Sequence, residues 1–285
     1  MTSGCEPVFL THSVGDVLGW GLPRLRDLPW RRTRDPWAIL VSEVMLQQTQ
    51  VPRVIPKWLA FMEAFPTANE CAAASLGDVL RLWQGLGYPR RARNLQLAAL
   101  EVTRLGRFPS ALPELLALPG VGQYTARAIL AFAFEADAAV VDTNIARVFA
   151  RVGGGALTAK RVQLAADLVQ PPGLSWEWNQ CLMELGAVLC RPTPNCTECP
   201  LADACAWHGV GADPAVGSAG VSRPQSRFEG SERQARGRLL KALTSGPVPA
   251  TAASAVMLHP AADRLLSALC DEGLVLRDGE FVRLP

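Results

Sequence analysis

The chain has 285 residues, of which 49% are apolar and 19% are charged, and its formal net charge is +2. This composition excludes a disordered tail, and the length allows two or three small domains with separate cores. No apolar run approaches the ~18 residues of a membrane-spanning helix and residues 1–10 lack a signal-peptide pattern, so we expect a cytosolic protein without a membrane partner.

Most of the first two hundred residues show the apolar spacing of helices. Apolar side chains recur every three or four residues over 37–49, 78–86, 93–102, 123–134 and 144–151, which predicts five helices. Turn signals rich in glycine and proline separate these segments, and no alternating strand pattern appears before residue 270. We therefore predict an all-α domain over this part of the chain.

A glycine-rich turn, Leu-Pro-Gly-Val-Gly at 118–122, lies between two helical patterns. This is the sequence form of a helix–hairpin–helix, in which Gly120, Val121 and Gly122 bring backbone amides close to a ligand. Such amides bind a phosphate of the DNA backbone without reading its sequence. An ordinary glycine-rich helix connection explains the five residues equally well.

Two carboxylic acids occupy positions where a protein can shift their pKa. Glu43 lies inside a strongly apolar helix, where burial would raise its pKa and keep it protonated as a general acid. Asp142 follows an apolar pair and starts a helix, where the helix dipole and free amides would favour the ionised carboxylate. Such a pair suits acid-assisted cleavage of a glycosidic bond. The structural alternatives are a glutamate on the solvated edge of its helix and a simple N-cap aspartate.

Four of the eight cysteines fall within a short stretch, at Cys190, Cys196, Cys199 and Cys205. Four thiolates on so short a tether can converge on a metal ion or an iron–sulfur cubane. Two disulfides are less compatible with a reducing cytosol. Structural zinc sites usually combine two CxxC pairs or added histidines, whereas only His208 lies nearby. We therefore predict a [4Fe-4S] cluster.

The composition changes after the cysteines. Residues 208–225 are rich in glycine, alanine, serine and proline, which predicts a flexible linker. Beyond it, Ser231 and Gln234 form a capping-box signature. A further helix covers about 261–269, and residues 274–284 have the pattern of a hairpin with an Asp-Gly turn. Helices followed by one terminal hairpin indicate a small α+β domain that is winged-helix-like.

Taken together, these segments resemble the adenine DNA glycosylases of the MutY type, in the helix–hairpin–helix superfamily that includes endonuclease III. The likeness runs from about Arg26 to Cys205 and is most specific at 28–31, 42–51, 85–88, 118–122, 142–144, 179–186 and 190–205. It implies a six-helix barrel at 31–139 and an iron–sulfur domain assembled from 1–30 and 140–207. The linker at 208–229 and the winged-helix-like domain at 230–285 are predicted from the residues beyond this likeness. The likeness also implies a monomer that flips its target base out of double-stranded DNA.

The resemblance implies a role for each matching residue. Glu43 would protonate adenine as the leaving group, while Asp142 would stabilise or transiently capture the oxocarbenium-like sugar. Asn144 and Tyr124 would help to orient the site. Residues that match the adenine pocket are Arg26, Trp30, Arg31, Gln180 and Glu184, and residues that match positions near the opposing base are Leu46, Gln48 and Tyr88.

The implied reaction is removal of adenine paired with 8-oxoguanine or G, in the cytoplasm at the nucleoid. Tyr124 stands where endonuclease III-like enzymes carry a lysine that attacks the sugar, and a phenol cannot form a Schiff base. We therefore expect a monofunctional glycosylase. Two alternatives are a mismatch-specific thymine or uracil glycosylase of the same superfamily and a non-catalytic DNA-binding protein.

Three departures from the family pattern bear on these expectations. The gap between the first two cysteines is one residue shorter than usual, and Pro89 replaces a tyrosine that helps many relatives to grip the opposing base. The tail is too short for the Nudix-like domain that reads 8-oxoguanine in many relatives, and it looks like the shorter tail of actinobacterial members. This tail either binds DNA through its basic residues or only stabilises the fold. The basic residues in question are Arg233, Arg236, Arg238 and Lys241.

Overall fold

The computed structural model describes residues 13–221 and 226–285. The chain divides into two compact units. The first unit comprises Met1–Pro36, Ser110–Leu112 and Gly122–Pro224, and the second unit comprises Trp37–Pro109, Pro113–Val121 and Gln225–Pro285. The C-terminal segment therefore belongs to the same unit as the helices that follow residue 37.

The described part of the chain is mainly helical, which confirms the helical fold predicted for the first two hundred residues. The helices are α1 (Val14–Gly21), α2 (Pro36–Leu46), α3 (Val51–Ala64), α4 (Ala68–Ala73), α5 (Leu76–Trp83), α6 (Arg90–Leu105), α7 (Leu112–Leu116), α8 (Gln123–Phe132), α9 (Thr143–Val152), α10 (Ala159–Val169), α11 (Ser175–Val188), α12 (Glu232–Thr244), α13 (Ala250–Met257) and α14 (Ala262–Asp271). Short 3₁₀ turns cover Leu22–Arg24, Pro29–Arg31 and Cys196–Glu198, and the strands are β1 (Val248–Pro249), β2 (Leu276–Asp278) and β3 (Phe281–Arg283). None of the described helices combines the length and apolarity needed to cross a membrane.

Local chemistry explains where the helices begin and end. α2 ends at Leu46, earlier than predicted, because Gln48 adopts a left-handed φ of 55° that a helix cannot continue. α6 begins directly after Pro89, whose fixed φ suits a helix start. The same helix ends at Leu105, and Gly106 follows with a φ of 66° as a left-handed cap.

The core of the first unit lies between α9 and α11, with α1 and α10 packed on these helices. Its largest side chain is Trp178, which is 1% exposed and shares the cluster with Phe149 and Leu185. α1 approaches α11 so closely that a Cβ at Gly21 would lie 2.5 Å from Sγ of Cys181. Gly21 therefore allows the N-terminal segment to pack directly on α11.

α2 is the most deeply buried helix of the second unit, because every residue from Trp37 to Met45 is buried. An aromatic cluster lies beside α2, in which the ring of Phe61 is 5.0 Å from that of Phe65 and 6.3 Å from that of Trp83. Nε1 of Trp37 donates a hydrogen bond of 3.0 Å to the carbonyl of Phe65, so its buried polar atom is satisfied. A helix buried on all sides lacks an amphipathic stripe.

The C-terminal segment has the order α12, β1, α13, α14, β2, β3. Its strands form an antiparallel sheet in which β3 lies between β1 and β2. The predicted hairpin is present, but its turn is Gly279-Glu280, one residue later than Asp278-Gly279, because Asp278 pairs with Phe281. Gly279 supplies a φ of 58° at the first turn position, which glycine adopts without steric cost.

Ser231 starts α12 as predicted, because its Oγ accepts a hydrogen bond of 3.3 Å from the amide of Gln234. The reciprocal bond differs from a capping box. Oε1 of Gln234 accepts from the amide of Gly230 at 2.8 Å, one residue before the cap. The signature therefore locates the helix start, although the two side chains do not form the full reciprocal pair.

Residues 208–221 contain neither helix nor strand, yet they are more firmly anchored in the first unit than their composition predicts. Asp213 forms an ion pair of 2.7 Å with Arg151. Oγ of Ser218 accepts from the amide of Leu157 at 3.0 Å, and the amide of Ala219 donates to the carbonyl of Leu157 at 2.8 Å. Composition alone missed these bonds because they are made by single polar groups rather than by an apolar stripe. The rest of the predicted linker includes residues 222–225, which lie outside the described residues.

Candidate active site

The predicted site residues are distributed over both units. Those in the first unit are Arg26, Trp30, Arg31, Gly122, Tyr124, Asp142, Asn144, Gln180, Glu184 and the four clustered cysteines. Those in the second unit are Glu43, Leu46, Gln48, Tyr88, Gly120 and Val121.

The predicted adenine-pocket residues of the first unit form one hydrogen-bonded cluster. Glu184 is 1% exposed, and its carboxylate accepts from Nε of Arg26 at 2.9 and 3.0 Å and from Nη1 of Arg31 at 2.6 Å. Gln180 lies four residues earlier on α11, on the same helix face, and its Oε1 accepts from Nε of Arg31 at 2.6 Å. Trp30 is buried in the adjoining 3₁₀ turn.

Burial of this cluster has an electrostatic consequence. Desolvation lowers the pKa of Arg31, while the neighbouring Glu184 carboxylate acts in the opposite direction. A buried carboxylate is tolerated because two guanidinium groups donate to it. The cluster therefore holds charged and amide groups in fixed positions on the edge of α11, as recognition of a polar heterocycle requires.

Asp142 is the N-cap of α9, as predicted. Its Oδ1 accepts from the amide of Ile145 at 2.7 Å, and its Oδ2 accepts from Nδ2 of Asn144 at 2.9 Å. Desolvation by burial nevertheless raises the pKa of Asp142, while the hydrogen bonds from Ile145 and Asn144 and the charge of Arg147 lower it. The helix start therefore lowers the pKa of Asp142 as expected, but burial outweighs the cap and the net shift is upward.

The segment that leads to Asp142 is fixed by Asn179 of α11, which was not among the predicted site residues. Oδ1 of Asn179 accepts from the amide of Val140 at 2.8 Å, and its Nδ2 donates to the carbonyl of Ala138 at 3.0 Å. Asn179 is 1% exposed. A buried amide bonded to an irregular segment replaces the sheet or helix bonds that the segment lacks.

Two arginines of α9 connect this site to the cysteine loop, and the sequence analysis missed both. Nε of Arg147 donates to the carbonyl of Cys190 at 2.6 Å, and its Nη2 donates to Oδ1 of Asn144 at 2.8 Å. Nη1 of Arg151 donates to the carbonyl of Arg191 at 2.6 Å and lies 3.4 Å from Sγ of Cys190. The available signal was two arginines four residues apart within an otherwise apolar helix, where unpaired charges are costly.

Gly186 sets the distance between α9 and α11 next to Asp142. A Cβ at this position would lie 2.6 Å from Cβ of Asn144 and 3.0 Å from its backbone. The carbonyl of Gly186 also accepts from Nη2 of Arg147 at 2.6 Å. Only glycine allows this contact, so Gly186 helps to position Asn144.

The four clustered cysteines line a single cavity in the first unit, together with His208. The described cysteines form no disulfide. Within the described residues no group of three His, Cys, Asp or Glu side chains is close enough to hold one metal ion. Burial raises the pKa of Cys199 to about 11, and the neighbouring cysteines act in the same direction. Four soft thiols around a shared space have the donor chemistry of an iron–sulfur cluster, in which each iron takes one thiolate.

Glu43 lies in the second unit on the buried helix α2 and is 5% exposed. Its nearest neighbours along the helix, Ser42 and Val44, are also buried, and Oγ of Ser42 donates to the carbonyl of Ile39 at 2.8 Å. The alternative of a solvated helix edge is therefore wrong. Burial of a carboxyl group favours its protonated form, which is the form that a general acid needs.

Two loops of the second unit carry the residues that match positions near the opposing base. Gln48 and Tyr88 adopt left-handed φ angles of 55° and 48°, which are uncommon for residues other than glycine. Gln48 is exposed, whereas Leu46 and Tyr88 are half-buried.

Arg91 joins these two loops, and the sequence analysis did not identify it. Its Nη1 donates to the carbonyls of Val44 at 2.7 Å and Gln47 at 2.5 Å, and its Nη2 donates to those of Leu86 at 2.9 Å and Gly87 at 3.1 Å. Burial lowers the pKa of Arg91 to about 10. A planar guanidinium that binds carbonyls of two loops holds both in one arrangement.

The glycine-rich turn has the geometry predicted from its residues. Gly120 adopts a φ of 79°, and a Cβ there would lie 2.8 Å from Cβ of Asn94. Val121 is buried and donates its amide to the carbonyl of Leu118 at 3.1 Å. Gly122 is the N-cap of α8 and offers no side-chain cap, so amides of the first turn can meet a phosphate. Tyr124 follows within that turn and is half-buried.

The comparisons with known proteins agree with this fold. Residues 41–171 match the HhH-GPD superfamily of base excision DNA repair proteins. The structure of a thermostable thymine-DNA glycosylase has a TM-score of 0.64 at 30% identity, over 69% of this chain and 94% of that protein. The structure of a non-covalent endonuclease III–DNA complex has a TM-score of 0.63 at 23% identity, over 71% of this chain and 96% of that protein.

Sequence similarity is more specific. The adenine DNA glycosylase of Mycolicibacterium smegmatis is 42% identical over 288 residues, which cover 95% of this chain and 96% of that relative. The match includes the C-terminal segment that the superfamily model leaves out. The chain therefore belongs to the adenine DNA glycosylase family, within the HhH-GPD superfamily of base excision repair proteins.

Proposed function

We propose that this protein excises adenine opposite 8-oxoguanine or G in double-stranded DNA, by acid-assisted hydrolysis of the N-glycosidic bond. The observation that most supports this is the cluster of Arg26, Arg31, Gln180 and Glu184, which offers fixed donors and acceptors to a polar base. A target base inside a duplex must be flipped out to reach such a cluster. A DNA substrate of this kind places the protein at the nucleoid.

The chemistry is assigned to two carboxyl groups. Glu43 gives its proton to a ring nitrogen of adenine, the N-glycosidic bond breaks, and its electron pair leaves with the base. The ionised Asp142 stabilises the positive charge that develops on the sugar, and Asn144 holds that carboxylate through the bond to Oδ2. Water then adds to the sugar carbon and releases a proton, which leaves an abasic site.

Tyr124 determines how the reaction ends. Its phenol has no amine to form a Schiff base with the opened sugar. The strand therefore stays intact until alkali or another enzyme cleaves it. The protein is therefore proposed to be a monofunctional glycosylase. We also propose that it acts as a monomer on its DNA.

The four cysteines would hold a [4Fe-4S] cluster, which supplies a fixed, charged anchor for the loop at 190–205. The supporting observation is that Cys190, Cys196, Cys199 and Cys205 line one cavity beside Arg151. We assign this domain to 1–30 and 140–207 and the helical barrel to 31–139. Iron analysis and absorbance of the purified protein test the cluster, since Cys199→Ser should lose iron whereas Cys270→Ser should keep it.

The C-terminal residues 230–285 are assigned to a winged-helix-like domain that follows the linker at 208–229. The order of helix, strand, two helices and terminal hairpin supports this assignment. The sheet order β1-β3-β2 also supports it, because the terminal hairpin adds to a strand that precedes the second helix.

The function is tested by incubating the purified protein with duplexes that carry A opposite 8-oxoguanine, G, C or T, followed by alkali. Cleavage at adenine in the first two duplexes, and only after alkali, is the expected result. The likeness to a thymine-DNA glycosylase favours one second candidate, excision of thymine or uracil opposite G. Cleavage of duplexes that carry thymine or uracil opposite G, instead of the adenine duplexes, would establish this candidate. No cleavage of any of these duplexes would indicate a non-catalytic DNA-binding protein.

A further inference from the structure

The second unit contains a groove for which the proposed function provides no occupant. One side is the loop at 84–90, and the other is α12 of the C-terminal segment. We call it the α12 groove, and its volume is about 960 Å³, at the upper end of the ~300–1,000 Å³ of ligand sites. α12 belongs to the C-terminal segment, so this side of the groove lies outside the superfamily match at residues 41–171.

The α12 groove is strongly basic. Six cationic side chains line it, and no acidic side chain does so within the described residues. These cations are Arg53, Arg90, Arg233, Arg236, Arg238 and Lys241. A groove lined by one sign of charge attracts an anionic polymer such as nucleic acid.

Five of the six cations fall into two groups. Arg90 and Arg236 both pair with Glu272, and Nη1 of Arg238 donates to the carbonyl of Met257 at 3.3 Å. These three side chains stabilise the unit. Arg53 and Lys241 are exposed and form no ion pair with any described residue, so both can neutralise a phosphate.

The same groove offers aromatic surface. Phe228 is 59% exposed, and the guanidinium of Arg233 lies 6.0 Å from the centre of its ring. Nη1 of Arg233 also donates to the phenol oxygen of Tyr88 at 3.1 Å, which joins α12 to the loop. Aromatic rings and guanidinium planes between exposed cations are the surfaces on which unstacked bases pack.

We propose that the α12 groove binds the DNA strand that carries the base opposite the target adenine. Arg53 and Lys241 contact its phosphates, and Phe228 and Tyr88 pack against base faces. The choice of strand rests on the proposed function and on the family resemblance, which implies that Gln48 and Tyr88 lie near the opposing base. The left-handed backbone of both residues, on the lining of this groove, is strain of the kind found at binding sites.

The first test measures the affinity of the full chain for a duplex with non-cleavable 2′-fluoro-adenosine opposite 8-oxoguanine, at several salt concentrations. Lys241→Ala and Arg53→Ala should each reduce the slope of log Kd against log salt by about one, because each removes one phosphate contact. Phe228→Ala should weaken binding about tenfold without changing the slope. The matched control is Arg264→Ala, because Arg264 pairs with Glu232 outside the groove.

The second test assigns the strand. A 5-iododeoxyuridine is placed next to the mismatch in either strand, the wild-type complex is irradiated, and the cross-linked peptide is identified by mass spectrometry. The proposal expects a cross-link to the peptide with Phe228 from the opposing strand. A cross-link there from the adenine strand alone, or wild-type slopes and affinities in all three groove variants, would overturn it.

The two proposals fail separately. If the wild-type protein excises no adenine from any duplex, the proposed function fails, whatever the groove variants show. If it excises adenine while the groove variants behave like Arg264→Ala, only the groove proposal fails. Thermal unfolding of each variant shows whether it is folded, and a misfolded variant is replaced by the conservative Lys241→Gln or Phe228→Leu.

Discussion

Arg147 holds Asn144 through a hydrogen bond of 2.8 Å from its Nη2 to the amide oxygen. This bond fixes the orientation of the Asn144 amide, so that its Nδ2 points to Oδ2 of Asp142 at 2.9 Å. Nε of Arg147 donates a second hydrogen bond, of 2.6 Å, to the carbonyl of Cys190. The side chain assigned to the sugar cation is therefore connected to the cysteine loop through two residues of α9.

Removal of the Asn144 amide should change the pH dependence of excision. Asn144→Ala takes one hydrogen bond from the Asp142 carboxylate, which is less stable without it, so the pKa of Asp142 rises further above its ordinary value. Because the ionised form is the active one, the acidic limb of the rate profile should move to higher pH. The rate at neutral pH should also fall about 10- to 100-fold. Single-turnover excision from pH 4 to 9 measures both, and an unmoved acidic limb would contradict the role of Asn144.

Asp142 should lower the stability of the protein at neutral pH. Its pKa is higher in the folded than in the unfolded state, so the unfolded chain releases its proton first as pH rises. Stability is therefore lost between the ordinary pKa, 3.8, and the raised folded value. Asp142→Asn lacks this charge, so its thermal midpoint should exceed that of the wild type by more at pH 8 than at pH 4. A difference that stays constant with pH would show that the carboxyl group is not desolvated.

The sequence predicted the elements better than the connections between them. Apolar spacing located α8 and α9, and the position of Asp142 identified it as an N-cap. The sequence could not show that desolvation would outweigh the cap, because burial depends on segments distant in sequence, such as α11, whose Asn179 fixes the residues before Asp142. Arg147 and Arg151 were missed for a similar reason. Helix arginines are usually solvated, and only tertiary packing reveals these two as buried.

The replacement of Arg91 by lysine should weaken the second unit. Lysine has three donors on one atom and cannot bind the carbonyls of both loops as the planar guanidinium does. We expect Arg91→Lys to lower the free energy of unfolding by about 2 kcal/mol and to slow excision opposite 8-oxoguanine. Arg104→Lys on the same helix is the matched control, because Arg104 is exposed and pairs only with Glu101. Equal behaviour of the two variants in denaturant unfolding would exclude a role for Arg91 in holding the loops.

A single methyl group at Gly186 should disturb the site. Gly186→Ala places a Cβ against Asn144, so α9 must move relative to α11, at about 1–3 kcal/mol of stability. Excision should slow because Asp142 and Asn144 move with α9. The control is Gly19→Ala in α1, where the added methyl group would have no neighbouring atom within 4 Å. Because alanine favours a helix more than glycine does, this variant should be more stable than the wild type by ~0.5–1 kcal/mol. Single-turnover rates and unfolding curves of the two variants measure these effects. A fully active Gly186→Ala protein would contradict the role of Gly186 in positioning Asn144.

The most direct measurement is the single-turnover rate at which Glu43→Gln excises adenine opposite 8-oxoguanine, relative to wild type. Glutamine preserves the size of the buried side chain and removes the proton that the leaving base requires. We predict a rate at least ~10²-fold lower, with duplex affinity and thermal midpoint close to those of the wild type. Adenine excision by Glu43→Gln at the wild-type rate would contradict it.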